Sequence, residues 1–335
     1  MRPLRVPIQA VRAAALLALC ATTAGASAQS RDAAASFPTR VVRIAVQSGP
    51  GGPPDIRARQ IASKLERLWG QPVIVENRPG AGGLLALDFV AKAPADGYTL
   101  LLSGQGPFVV MPHLKKLPLD PMKEFVPVTQ IGISPLILMV NPALPARSVA
   151  ELAAHGTRQA GKLNATHPGP GTTNHLALLL FERATQTTTT QVPYKDGVGQ
   201  SIIDLAAGRI DMAFDTYTSH GAYLRDGKLR ALAVTGREPL QVLPDVPTFT
   251  AAGIPVLESV FIWGGFFVRS GTPRAVVEQL HRALAHVLQS AEVQNSLKEI
   301  GTQPVANSPE EFAAVIRAEH ARYGRLIAEA GIRLD

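Results

Sequence analysis

Val41-Val42-Arg43-Ile44-Ala45-Val46-Gln47, followed without a break by Ser48-Gly49-Pro50-Gly51-Gly52, is the stretch on which the fold turns. The first seven residues are a short β-branched apolar run, the signature of a buried strand. The glycine-rich turn then feeds a helix whose Ile56, Ile61, Leu65 and Leu68 are expected on one face, and Gly70 and Pro72 end it.

Outward from this unit the alternation continues. Strands are expected at 72–76 and 98–103, with a helix at 83–93 between them and a turn at Asp96-Gly97. Parallel strands joined by helical crossovers make a sheet covered on both faces. A long extended segment, 126–141, suits a crossing to a second lobe, where the alternation restarts. Ser148 and Glu151 form a capping box. Strands follow at 162–166, 189–194, 210–214 and 229–235, with helices at 174–184 and 200–207, and 256–268 is expected as a strand returning to the first lobe. Two helices close the chain, one opening at Thr272-Pro273, the other at Ser308-Pro309 with Glu311 completing a capping box. Phe312, Ile316, Tyr323 and Ile327 give the last helix its apolar stripe, and His320 on that stripe reads as a satisfied core histidine.

The class is therefore α/β with two lobes. Roughly 300 residues past the leader is near the limit of a single core. The first 28 residues read as a secretory signal: Arg2, Arg5 and Arg12, an apolar stretch from Ala13 to Ala21, and Ala26-Ser27-Ala28 as a cleavage site. That apolar stretch is shorter than the roughly 20 residues a membrane span needs. Leu17-Ala18-Leu19-Cys20 approaches a lipidation signal, but Leu19 is too large for it. Cys20 is the single cysteine, so cleavage leaves no thiolate chemistry and no disulfide. Without the three leader arginines, the 33 basic residues become 30 against 26 acidic ones, a net charge of +4 spread along the chain. No cluster of Lys and Arg with interleaved aromatics suggests a nucleic-acid surface.

Two glycine-rich turns, one in each lobe, lead straight into helices: Ser48–Gly52 and Gly169-Pro170-Gly171-Thr172-Thr173. Each is either a plain connection or an anion site built from unpaired N–H groups at the positive end of a helix; two of them facing one cleft favour the second. The carboxyl ends of parallel strands form the crevice where open α/β sheets take ligands. His175 either donates to a ligand oxygen or caps locally, and Asp55 either serves the first helical turn or touches ligand. Asp215, at a strand end, either holds a ligand amino or hydroxyl group or is merely exposed there. Walker, GxGxxG, GxSxG and HExxH patterns are lacking, and the eight histidines show no metal-ligand spacing. No cofactor is expected. Ser48, His175 and Asp215 supply the residue types of a hydrolytic triad, with nothing in the chain to assemble them.

Pro-Gly-Gly-Pro-Pro-Asp at 50–55, Gly-Gln-Pro-Val-Ile-Val-Glu-Asn-Arg-Pro-Gly-Ala-Gly-Gly at 70–83 and Asp-Gly-Tyr-Thr-Leu-Leu at 96–101 closely resemble the solute-binding receptors of tripartite tricarboxylate transporters, the Bug receptors. The resemblance continues through Val192–Lys195, Gly227–Thr235, Leu243–Thr248 and Gly271–Pro273. It implies a two-lobed periplasmic-binding-protein fold of type II with two hinge crossings. The lobes expected are 37–138 with 260–335, and 139–259. It also implies a receptor, without enzymatic activity, that captures a small organic or amino acid and delivers it to membrane permease subunits; a monomer is expected of a protein that must dock on a permease, and the rivals are a sensor for a membrane kinase and a secreted hydrolase. The expected ligand-binding residues are Gln47, Ser48, Gly51, Gly52, Gln105, Gly169, Gly171, Thr172, Thr173, His175 and Asp215. Four departures bear on the ligand. Gln47 and Ser48 stand where such receptors usually carry proline and an aromatic residue, Pro53 and Pro54 remove two N–H donors, Asp196 replaces a common glycine, and the segment 216–220 is unusual.

Overall fold

The computed structural model describes residues 37–194, 198–329 and 331; the leader, Cys20, Lys195 and Asp196 lie outside the described residues. Two sheets organise the chain. In the first, β1 (Val42–Val46) is flanked in parallel by β2 (Val73–Asn77) and β3 (Thr99–Gly104). Beyond β3 come β10 (Phe261–Arg269), β4 (Phe125–Pro135) and β11 (Gln303–Pro304), all antiparallel to their neighbours, giving the order β11-β4-β10-β3-β1-β2. The second sheet has the order β7-β6-β8-β5-β9, built from β5 (Ile137–Val140), β6 (Leu163–His167), β7 (Thr189–Pro193), β8 (Met212–Asp215) and β9 (Arg230–Val234). β6 runs parallel to β7 and β8, and β5 is antiparallel to β8 and β9.

Helices cover these sheets. In the first unit they are α1 (Pro53–Trp69) and α2 (Leu84–Ala91); with the second sheet go α3 (Val149–Arg158), α4 (Thr173–Thr185), α5 (Val198–Ala206) and α6 (Tyr217–Arg225). The chain then closes with α7 (Arg274–Leu288), α8 (Ala291–Glu299) and α9 (Pro309–Glu329). β1 is buried on both faces at Val42, Ile44, Ala45 and Val46, as a central parallel strand must be. One apolar cluster runs from sheet to sheet through Leu101, Trp263, Phe249 and Phe214, and each sheet has a second cluster on its outer face.

Several expectations change. Ile56 does not share the buried face of α1: it is 60% exposed, while Ala58, Ile61, Ala62 and Leu65 are buried. Five residues at about 100° each put Ile56 about 140° from Ile61. Leu68, in the last turn, is also exposed. The extended segment 126–141 is two strands in different sheets, and membership changes at Leu136, so a lobe boundary at 138/139 would cut β5. The return segment is a strand only from Phe261; Pro255–Leu257 form a 3-10 turn, as suits a proline with fixed φ. Three helices close the chain, because α8 buries Val293 and Leu297 at a four-residue spacing. The capping box at Ser308 is complete, with Glu311 N–H donating to Ser308 Oγ and Ser308 N–H to Glu311 Oε2. At Ser148 it is half formed, since Glu151 accepts from Arg147 N–H instead. His320 is half-buried, its Nδ1 paired with the Phe108 carbonyl at 3.0 Å.

Candidate functional site

The first turn grows from the end of β1. Gly51 has φ +78°, a left-handed conformation that suits glycine, and Gly52 caps α1 without a side-chain partner. Asp55, buried in the first helical turn, accepts from Gly51 N–H at 2.9 Å, from Asn77 Nδ2 at 2.8 Å and from Arg59. Burial alone would raise its pKa, but these hydrogen bonds outweigh it and hold the carboxyl below its ordinary value. Asp55 thus takes the helix-turn role, and the Gly51 N–H is spent on it. With Pro53 and Pro54 lacking N–H groups, the first turn has little backbone left to offer an anion. Ser48 Oγ is buried with no partner among the described residues.

Gln47 is set into a glycine bed. Its Oε1 accepts from Ser103 Oγ at 2.9 Å; a Cβ on Gly83 would stand 2.4 Å from that Oε1, and one on Gly104 3.2 Å from Nε2.

The second turn is more open. Gly169 and Gly171 have φ of +138° and +80°. Thr172 is the N-cap of α4: its Oγ1 accepts from His175 N–H at 3.3 Å and donates to the Gly169 carbonyl at 2.8 Å. The N–H groups of Thr173 and Asn174 remain as first-turn donors without helical partners. His175 caps locally. Its Nδ1 accepts from Gly171 N–H at 3.4 Å, which leaves Nε2 as the donor to Gln191 Oε1 at 3.0 Å. His167, which ends β6, packs its ring 4.3 Å from that of His175 and accepts from Gly169 N–H at 3.1 Å. Burial and the neighbouring His175 bring His167 down to about 4, and burial lowers His175 as well, so the turn rests on neutral imidazoles at pH 7.

Gln105 joins the two units. Just past β3, its Nε2 lies 3.0 Å from Thr173 Oγ1 on α4, 2.5 Å from the Phe261 carbonyl on β10 and 3.0 Å from the Tyr323 hydroxyl on α9, while Oε1 accepts from Trp263 N–H at 3.1 Å. It is 1% exposed, so it ties the units together and has no face free for a ligand. A Cβ on the next residue, Gly106, would sit 3.6 Å from the Gly171 carbonyl, so the β3 turn of the first sheet abuts the glycine turn of the second.

Asp215 ends β8 and is 9% exposed. Its Oδ1 accepts from Thr216 N–H at 2.7 Å and its Oδ2 stands 3.8 Å from Nδ1 of His220 on α6. Burial pushes the Asp215 carboxyl up, opposed by His220. No triad forms among Ser48, His175 and Asp215: both ring nitrogens of His175 are engaged elsewhere, and the imidazole beside Asp215 belongs to His220. His220 falls in the unusual segment 216–220, but no helix was expected there, because Thr-Tyr-Thr places β-prone residues at its start. The described residues contain no cluster of metal-ligating side chains.

Residues 57–332 match the model of the tripartite tricarboxylate transporter family receptor. A protein from the tcbD-tcbE intergenic region of Pseudomonas sp. strain P51 is 36% identical over 319 residues, covering 95% of this chain and 94% of its own. Among solved structures, Rpa4515 of R. palustris with adipate superposes with a TM-score of 0.83 at 34% identity, covering 89% of this chain and all of that one. MatC of Rhodopseudomonas palustris with bound malate gives 0.81 at 32% identity, over 87% of this chain and all of its own. The periplasmic binding protein BugD gives 0.82 at 30% identity, over 89% and 100%. Two α/β sheets with glycine turns at their strand ends, and a family match across most of the length, make this chain a member of the tripartite tricarboxylate transporter receptor family, with the periplasmic-binding-protein fold of the Bug receptors.

Proposed function

We propose that this protein is a periplasmic receptor that captures a small carboxylate between two lobes, 37–136 with 260–335 and 137–259, and presents it, chemically unchanged, to a membrane permease. The observation that carries the reading is the apposition of the β3 turn and the Gly169–Thr173 turn, bridged by Gln105 and Thr173. It sets unpaired helix-end donors at a boundary between two sheets, where an anion gains from the dipole and from N–H groups at once. Relatives of the same fold hold adipate and malate.

The carboxylate falls to the second turn, through the N–H groups of Thr173 and Asn174. The first unit contributes Gln47 Nε2 and the Ser48 hydroxyl, a hydrogen-bonding rather than a stacking wall. Secretion through a cleaved leader places the receptor in the periplasm.

Native mass spectrometry of the purified mature protein, with a thermal-shift panel of mono-, di- and tricarboxylates, tests this. The expected result is an intact small acid, or a rise of several degrees with one class of acid, reduced in Gly171→Ala, whose φ of +80° disfavours a Cβ. A bare mass and no shift across the panel would overturn the carboxylate reading, and turnover of the bound acid would overturn the receptor reading.

A further inference from the structure

Behind the second turn, between β6, β8 and α6, lies a small cavity whose walls include Thr166, His167, Tyr194, Asp215 and His220. The space open to a water's centre is about 10 Å³, at the lower bound for holding one water. Two wall groups are buried polar atoms without a partner among the described residues, Thr166 Oγ1 and His220 Nδ1, on residues only 6% and 1% exposed. A third wall group is Asp215, whose Oδ2 is 3.8 Å from His220 Nδ1, beyond hydrogen-bond range, while Oδ1 is taken by Thr216 N–H. Leaving Thr166 Oγ1 and His220 Nδ1 unpaired is costly, and a single oxygen that both donates and accepts completes both while reaching Asp215, which already has Thr216 N–H and the Asn174 side chain as partners. A carboxylate is too large for so small a space. Burial holds the Asp215 carboxyl above and the His220 imidazole below their ordinary values, so the walls lean to neutral forms, which suits an uncharged oxygen better than an ammonium.

We propose that this cavity is a subsite for one hydroxyl-type oxygen, held by Thr166 Oγ1, His220 Nδ1 and Asp215 Oδ2. The oxygen is either a water or the hydroxyl of a captured acid; the second source rests on the receptor reading above, the first does not.

High-resolution crystal structures of the mature protein alone and with succinate, malate or aspartate test the subsite, alongside affinities for the wild type and Thr166→Val, which keeps the side-chain shape. The expected result is an oxygen peak within about 3.2 Å of all three atoms, lost in Thr166→Val. If the ligand supplies it, the peak is the malate hydroxyl, and Thr166→Val weakens malate about fivefold relative to succinate. If water supplies it, the peak is present in every crystal, and the variant does not separate the two acids. An empty cavity in all crystals overturns the proposal, as does a direct Asp215–His220 hydrogen bond that closes it, or an amino group of aspartate seated there in preference to malate. Should none of the three acids bind, the receptor reading is weakened, and the ligand-free crystal still decides the subsite.

Discussion

At the scale of single residues, the site depends on side chains that are small for a stated reason. Gly83 has φ +100°, and a Cβ there would meet Gln47 Oε1 at 2.4 Å and Pro107 Cγ at 3.3 Å. Gly83→Ala is expected to cost about 1–2 kcal/mol in left-handed strain and to turn Gln47 away from Ser103. Chemical denaturation checks the first effect. The second is checked by ligand affinity, which should fall toward that of Gln47→Ala. The Gly-Ala-Gly-Gly run at 80–83 was visible in sequence as part of a family motif, but the bed it makes for Gln47 was not, since 36 residues separate Gln47 from Gly83.

At the scale of elements, α9 is fastened to β10 through a close approach at Gly265. A Cβ on Gly265 would stand 2.3 Å from Phe312 Cζ and 3.1 Å from the Thr129 carbonyl. Phe312 also packs on Trp263 and Phe267, at ring-centroid separations of 5.1 and 5.2 Å. Gly265→Ala should therefore lower stability by about 1–3 kcal/mol, the usual range for overpacking, and Phe312→Leu in the same chain should restore part of it. Urea midpoints of the two single variants and the double variant measure this coupling, and simple additivity would argue against the contact. The apolar stripe Phe312, Ile316, Tyr323, Ile327 was legible from helical periodicity. Periodicity did not show that the same face buries Glu319, whose carboxylate accepts the Trp263 indole N–H at 2.6 Å and pairs with Arg322.

For the whole molecule, the buried imidazoles set an acid limit. The folded-state pKa of His167, about 4, lies below the unfolded value near 6.5. Between these values the unfolded chain binds more protons, so stability rises with pH. The contribution of His167 is complete above pH 6.5 and is lost as pH falls toward 4. Allowing for partial solvent screening, the loss from pH 7 to pH 5 is about 1–2 kcal/mol. Asp215 and Glu319, both raised by burial, act in the opposite sense at the acid end, so the comparison to make is between wild type and His167→Gln. Thermal denaturation across pH 5–7 should show a steeper decline for the wild type; parallel curves would remove His167 from the account.

Local chemistry was enough to read much of this protein. The runs of β-branched residues, the glycine turns before helices, the capping box at Ser308 and the ordered family motifs specify an α/β receptor, because each acts within a few residues of itself. The identity of the groups that meet at the site was decided only on folding. Gln105 finds Thr173, Trp263 and Tyr323 at separations of 68, 158 and 218 residues. His220 comes to stand 3.8 Å from Asp215 because a helix, not a continued strand, opens directly after β8. Buried polar atoms must find partners wherever the chain brings them, and that geometry is a property of the packed sheets, which no local pattern encodes.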